Sequence, residues 1–203
     1  MSRHLLLIAT SNPGKLREIE AVFAGLPLHF EDLHQYPDLP AAVEDADTFM
    51  GNAEKKALYY ARHTGLPALA DDSGLEVDCL GGRPGVQSAR FAGCHGDDRA
   101  NNAKLIELLK NVPLEERRAR FRCAIVVADG GAVLARAEGA IEGLIIDEPR
   151  GENGFGYDPH FLVPDLGKTT AELAPEHKNR ISHRGQALRS ILNALGRIFR
   201  PMT

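Results

Sequence analysis

The sequence predicts an α/β fold: an elongated mixed β-sheet flanked by helices, arranged as two lobes with a central active-site cleft. Three observations lead there. An apolar run of strand length, Leu5 to Ala9, passes through Asn12-Pro13-Gly14 into apolar positions at helical spacing, which is how an α/β unit begins. Beyond residue 120 the character changes to runs rich in Val, Ile and aromatic residues, with a hairpin signal at Asp129-Gly130-Gly131. The 203 residues, 43% of them hydrophobic, suffice for one core-bearing domain spanning 1–203.

The elements follow in order. Leu5 to Ala9 is continuously apolar, as a strand buried on both faces should be. Leu16, Ile19, Phe23 and Leu26 then recur at helical intervals, with Gly25 and Pro27 marking the helix end. A second helix runs from about Thr48 to His63, capped by Asp47 or Thr48 and closed by Gly65. Pro67 to Ala70 returns as a strand and delivers Asp71 and Asp72 at its carboxyl end. Gly81-Gly82-Arg83-Pro84-Gly85 is a turn or loop, and a third helix, about Asp98 to Lys110, carries Leu105, Leu108 and Leu109 inward. Phe121 to Ala128 is a strand, Ala132 to Ala137 its antiparallel return, and Gly139 to Ile146 continues the meander. Gly151 to Pro159 is a glycine-rich loop and His160 to Val163 a short strand. Ser182 caps a final helix with Leu188, Ile191, Leu192 and Leu195 facing in.

A net charge of −4 argues against a nucleic acid polymer as partner, because that needs a basic field. The apolar run after Met1-Ser2-Arg3 meets Thr10-Ser11-Asn12-Pro13 too soon for a signal sequence, and no run reaches membrane-spanning length. A cytoplasmic protein with no membrane partner is expected. Cys79, Cys94 and Cys123 form no CxxC pair and read as buried structural thiols.

The chemistry-bearing residues start with Asp71-Asp72. Adjacent carboxylates at the mouth of a buried strand repel each other and resist desolvation, so a cation or a proton must compensate. Thr10-Ser11-Asn12-Pro13-Gly14-Lys15 is not a Walker A loop, and reads equally as an anion site or a plain helix cap. Asn52 and Lys56 share one face of the second helix, whereas Lys55 is expected on a solvated one. Glu44, in an acidic loop, either faces solvent or completes an oxygen-ligand set for Mg²⁺ with Asp71 and Asp72. The eight histidines lack zinc-ligand spacing. An aromatic ring in Gly154-Phe155-Gly156-Tyr157-Asp158-Pro159 can stack a base, and the Arg, Lys and Asp side chains of this loop and of Lys178-Asn179-Arg180-Ile181-Ser182-His183-Arg184 can read its polar edge. Both segments also have ordinary readings, as a tight turn and a helix start.

Five segments in order resemble the inosine triphosphate pyrophosphatase family and span nearly the whole chain. They are Ala9–Lys15, Thr48-Phe49 with Asn52-Ala53 and Lys56-Ala57, Ala70–Leu75, Gly154–Pro159 and Ile181–Gly185. The resemblance implies Mg²⁺-dependent hydrolysis of ITP, dITP and XTP to monophosphate and pyrophosphate. It implies Asp72 as the catalytic residue that orients and deprotonates water, and Glu44 with Asp72 as metal ligands. Substrate binding is implied for Thr10, Ser11, Asn12, Pro13, Gly14, Lys15, Lys56, Ser73, Phe155, Gly156, Tyr157, Asp158, Lys178, His183 and Arg184, and a homodimer is implied as well. Asp71 helps hold the metal or the turn. One position departs from the family pattern: Ala46 stands where the loop after the glutamate usually carries a glycine.

Donor and acceptor matching supports the base choice. Hypoxanthine and xanthine carry an oxygen at position six, which Arg184 or Lys178 can donate to, whereas adenine would set donor against donor. Guanine shares that oxygen, so its exclusion falls to the two-position, near Phe155 or His183. The rival readings are a pyrophosphatase of different base preference and a nucleotide-sensing module without turnover. Asp72, Ser73 and Lys15 argue against the latter.

Overall fold

The computed structural model describes residues 4–26 and 28–198. The stretch Met1-Ser2-Arg3 and the expected helix-end marker Pro27 lie outside the described residues. The strands are β1 (His4–Ile8), β2 (Leu28–Asp32), β3 (Ala68–Val77), β4 (Arg118–Asp129), β5 (Ala132–Ile145), β6 (Phe161–Val163) and β7 (Lys168–Thr169). The α-helices are α1 (Pro13–Phe23), α2 (Phe49–Thr64), α3 (Asp98–Leu109), α4 (Pro175–Ile181) and α5 (His183–Ile198). The seven strands form one sheet in the order β2-β1-β3-β4-β5-β6-β7. It is mixed, as expected: β1 pairs parallel with β2 and β3, while β6 pairs antiparallel with β5 and β7.

Two compact units divide the chain. The first comprises Met1–Asp72, Cys123–Gly139 and Arg184–Thr203; the second comprises Ser73–Arg122 and Ala140–His183. In the first, Leu6, Leu7 and Ile8 of β1 are fully buried, which explains why that strand shows no alternation. Leu6 and Ile8 pack with Ile19 and Phe23 of α1, with Ile125 and Val127 of β4, and with Leu188, Ile191 and Leu195 of α5. In the second, Leu75 and Val77 pack with Leu105 and Leu109 of α3, and with Phe121, Tyr157 and Phe161. Each fully buried Leu, Ile or Phe contributes about 1.5–3 kcal/mol from burial, so both cores are substantial.

Local chemistry sets the helix ends. Asn12 caps α1, accepting from the N–H groups of Gly14 and Lys15. Thr48, rather than Asp47, caps α2, and Gly65 closes it at φ +70°, where a β-carbon would be strained. Between β4 and β5 lies only Gly130-Gly131, a link far too short for a parallel crossover.

Several expectations need correction. β3 does not stop at Ala70 but continues to Val77, so Asp71 and Asp72 lie inside the strand. The segments expected as Ala132–Ala137 and Gly139–Ile146 are one long strand. Leu108 is 39% exposed, because the buried stripe of α3 runs through Asn101, Leu105 and Leu109 and leaves it at the margin. Of the three thiols only Cys123 is buried; Cys79 and Cys94 lie in exposed connections on either side of the Gly85–Arg90 turn. Among the described residues no helix is long and apolar enough to cross a membrane.

Candidate active site

At the end of β1 the chain turns through Thr10–Asn12 into α1. Thr10 Oγ1 accepts from the Asn12 N–H (3.2 Å), and Asn12 Oδ1 accepts from Gly14 (2.8 Å) and Lys15 (3.1 Å). The Leu16 N–H goes to the Asn12 carbonyl. Those first-turn N–H groups already have acceptors, so the anion-binding capacity here rests chiefly on the Lys15 ammonium and on the dipole. Ser11, Asn12 and Pro13 are exposed and Gly14 is buried.

Because β3 runs on through the acidic pair, successive side chains alternate in direction, and the two carboxylates take different partners. Asp71 Oδ2 meets Lys15 Nζ at 3.2 Å, and Arg184 Nε and Nη2 at 3.2 and 3.0 Å. Arg184 Nη1 reaches Glu18 Oε2 at 2.5 Å. Burial alone would raise the Asp71 carboxyl, but Lys15, Arg184 and Lys56 outweigh it and hold it well below the usual carboxylate range. Cys123 Sγ lies 3.9 Å from Asp71 Oδ2; burial, reinforced by the Asp71 charge, pushes its thiol up to about 12. Such a thiol is no nucleophile.

Asp72 behaves oppositely. Its Oδ2 accepts a hydrogen bond from Asn52 Nδ2 at 3.0 Å. Burial raises its pKa, and the charges of Lys56 and Lys15 together with the Asn52 bond only partly oppose that. A carboxylate raised toward neutrality is a stronger base. The electrostatic tension of the adjacent pair is thus divided: Asp71 is a buried, ionised counter-ion, and Asp72 is held closer to neutrality.

α2 supplies the groups around Asp72. Asn52 and Lys56 lie four residues apart on its buried face, as expected from spacing. Lys56 Nζ pairs with Glu44 Oε2 at 3.3 Å. Burial would lower the Lys56 ammonium, but Asp71, Glu44 and Asp72 overcome this and raise it. Lys55 forms an exposed pair with Asp45, the solvated face expected of it. Asn52 Oδ1 accepts the Ala46 N–H at 2.9 Å, so one amide ties the acidic loop to Asp72. Ala46 has no left-handed backbone, and its Cβ fits because residue 51 is glycine: a Cβ on Gly51 would lie 2.9 Å from it. The family's glycine is therefore not required for this loop path.

Among the described residues no group of three His, Cys, Asp or Glu side chains is gathered for a metal. Glu44 is near enough for its charge to act on Asp72. Two carboxylates are a donor set that Mg²⁺ completes with waters and phosphate oxygens, since it rarely takes an all-protein cage.

In the second unit, Gly74 follows the half-buried Ser73, and a Cβ there would lie 2.3 Å from Ser88 Oγ. Ser88 Oγ instead accepts the Leu75 N–H (2.9 Å) and donates to the Gly85 carbonyl (2.6 Å). The loop at 154–158 is organised by Asp158. Its Oδ2 accepts from the Phe155 N–H (2.8 Å) and from Lys178 Nζ (2.6 Å), and its Oδ1 from Thr170 Oγ1 (2.7 Å). Gly154 turns at φ +80°, and a Cβ there would strike Asp158 Oδ2 at 2.1 Å. Lys178 Nζ stands 4.9 Å above the Phe155 ring centroid. Tyr157 donates its hydroxyl to the Ser88 carbonyl at 2.9 Å, and its ring lies in the core. His183 stacks on Phe121 at 4.9 Å and 16°.

Lys15, Lys56, Asp72, Asp158 and Lys178, all singled out from the sequence, lie in ordered polar clusters. Sequence reasoning missed Asn52 as the partner of Asp72, Glu18 as the second carboxylate on Arg184, and Thr170 on Asp158. Glu18 carried a readable signal, three residues after Lys15 on one helix. Asn52 and Thr170 carried none that local pattern supplies.

The sequence profile of the Ham1 family matches residues 6–194. A dITP/XTP pyrophosphatase of Geobacter sulfurreducens is 53% identical over 191 residues, covering 94% of this chain and 96% of the relative. A dITP/XTP pyrophosphatase of Thermus thermophilus is 49% identical over 93% of this chain and 90% of its own length. Among solved structures, a HAM1 protein from Coxiella burnetii superposes with TM-score 0.86 at 41% identity, covering 96% of this chain and 99% of that one.

Proposed function

We propose, from the premise that this chain belongs to the Ham1 family, that it is a hydrolase converting dITP, XTP and ITP with water to the nucleoside monophosphate and pyrophosphate. Its role is then removal of deaminated purine nucleotides from the precursor pool. The observation that carries the mechanism is the different surroundings of the two acids: Lys15 and Arg184 on Asp71, Asn52 on Asp72.

Asp72 takes a proton from water as that water attacks the α-phosphorus, and the bond to the β-phosphate oxygen breaks to release pyrophosphate. Asn52 fixes the Asp72 carboxylate for this role. General-base help of this kind is worth about 10²–10⁴ in rate. Lys15 and Lys56 bring positive charge to the triphosphate, with Thr10, Ser11, Asn12, Pro13 and Gly14 forming the phosphate-side turn and Ser73 a further phosphate contact. Asp71 keeps Lys15 in place, and Arg184 serves the substrate through that same carboxylate. Glu44 and Asp72 would hold Mg²⁺, which supplies charge neutralisation on the phosphates when bound.

On the base side, Phe155 offers a ring face, Gly156, Tyr157 and Asp158 shape the loop, and Lys178 and His183 supply polar groups for the purine edge. A donor aimed at the six-oxygen discriminates against adenine far more strongly than an apolar pocket does. Residues 1–203 are proposed to act as one functional domain, in a cytoplasmic homodimer.

The test is incubation with dITP, XTP, ITP, GTP and ATP plus Mg²⁺, with products followed by phosphorus NMR. Monophosphate and pyrophosphate from the first three, with slow turnover of ATP and GTP, support the reading. Diphosphate and orthophosphate would place the cut at the wrong bond. Binding without turnover would favour a nucleotide sensor, and sedimentation analysis decides the dimer.

A further inference from the structure

Two side chains of α3 hold the loop that carries Phe155. Asp98 Oδ2 accepts the Gly156 N–H at 2.7 Å, and Asn102 Nδ2 donates to the Gly156 carbonyl at 2.9 Å. Asp98 and Asn102 are four residues apart, one turn along one helix face. Together with the Phe155 N–H bound to Asp158, three consecutive peptide groups are gripped by side chains. The peptides on both sides of Phe155 are therefore fixed, as is the left-handed turn of Gly156 at φ +61°.

α3 is itself rigidly seated. Leu105 and Leu109 are fully buried, Asn101 bridges Ala92 N–H and the Ala89 carbonyl, and Lys104 Nζ reaches the Phe91 carbonyl. The Asn102 amide has a further peculiarity: its Oδ1 is buried without a hydrogen bond among the described residues. An unsatisfied buried acceptor is a liability that an apolar side chain of similar shape would remove. The residue is therefore better explained by its donor to Gly156 than by stability.

We propose that Asp98 and Asn102 are positioning residues that set base affinity by clamping Gly156 and so pre-orienting Phe155. A loop ordered before binding leaves less conformational freedom to be lost when the purine docks. This rests on the reading of the Phe155 loop as the base side of the substrate site. Neither residue touches the phosphates in that reading, so the clamp acts on recognition of the base and not on the hydrolytic step.

The test uses the full chain with dITP and Mg²⁺, and inorganic triphosphate as a competitive probe of the phosphate side alone. Asn102→Leu and the near-isosteric Asn102→Asp both remove the donor. Each is expected to raise KM for dITP about tenfold, with kcat changed less than about twofold, as for loss of an interaction shared by ground and transition states. Inhibition by triphosphate stays as in the parent, and Asn102→Leu keeps its Tm within a few degrees. Asp98→Ala, at an exposed position, raises KM likewise, and Asp98→Asn, which retains an acceptor, recovers most of that loss. Equal weakening of dITP and triphosphate, or an unchanged KM in the folded Asn102 variants, overturns the proposal. Phe155→Ala separates the two levels. If it raises KM for dITP while the Asn102 variants do not, the clamp fails and the base-side reading stands. If Phe155→Ala leaves KM unchanged, that reading fails and the clamp falls with it.

Discussion

Arg184 grips Asp71 through two nitrogens, Nε at 3.2 Å and Nη2 at 3.0 Å, with side chains 1% and 0% exposed. The third nitrogen, Nη1, is on Glu18. Burial would depress the guanidinium, but Asp71 and Glu18 raise it, so the cation is permanent. An arginine so engaged shapes the site through what it holds. Removing one partner of a buried pair costs about 3–5 kcal/mol. Arg184→Ala is therefore expected to lower unfolding stability by about that amount, and to weaken dITP and inorganic triphosphate equally by loosening Asp71 and Lys15. Urea unfolding and inhibition constants check both. Selective weakening of dITP would instead make Arg184 a direct base reader.

Asp72→Asn keeps the size of the side chain and an oxygen for Asn52, but abolishes the base. Turnover is expected to fall about 10²–10⁴-fold while nucleotide binding persists. Single-turnover kinetics and calorimetric binding of dITP check the two halves separately. Full activity in the variant removes Asp72 from proton transfer.

How much of this was legible in the sequence differs residue by residue. The pair Asp71-Asp72 stood out at once, because two acids after an apolar strand are electrostatically odd. Their different partners were hidden, since these depend on β3 continuing through them and turning them to opposite sides. β1 was legible because uninterrupted burial leaves an uninterrupted apolar run. β2 alternates Leu28 and Phe30 with His29 and Glu31, yet five residues are too few to stand out, and β7, with two, has no pattern at all. Lys56 announced itself by its spacing from Asn52 on a helix, and Lys15 by its place at the turn from strand to helix. Asp158 did not, because its partners Thr170 and Lys178 come from elements distant in sequence.

Acid sensitivity should report Asp71. Its carboxyl is held well below the ordinary range in the folded state, so the folded chain favours the ionised form. That stability is fully present above the unfolded pKa of about 3.9, and is lost as pH falls below it toward the depressed folded value. Asp71→Asn is expected to be less stable at pH 7 and to show a flatter decline between about pH 4 and pH 2. Denaturant midpoints measured across that window check the sign. A parallel decline in both proteins would remove Asp71 as the acid-labile element.

Asn52 offers a test of the link between Asp72 and the acidic loop. One amide donates to Asp72 and accepts from Ala46, so its loss acts in two directions at once. The bond to Asp72 lowers a pKa that burial raises; without it, the pKa rises further. The acid limb of kcat/KM, where activity falls as Asp72 gains a proton, should therefore move to higher pH in Asn52→Leu. On the other side, the Ala46 N–H loses its acceptor and the loop bearing Glu44 loses a tether. If Glu44 and Asp72 hold Mg²⁺ together, the Mg²⁺ concentration for half-maximal rate should rise in the same variant, because a looser pair must be ordered on binding. Glu44→Gln separates the effects: it should raise the Mg²⁺ requirement while moving the acid limb downward, since the Glu44 charge raises the Asp72 pKa. Two pH profiles and two Mg²⁺ titrations decide it. If Asn52→Leu shifts neither, the amide is packing and nothing more.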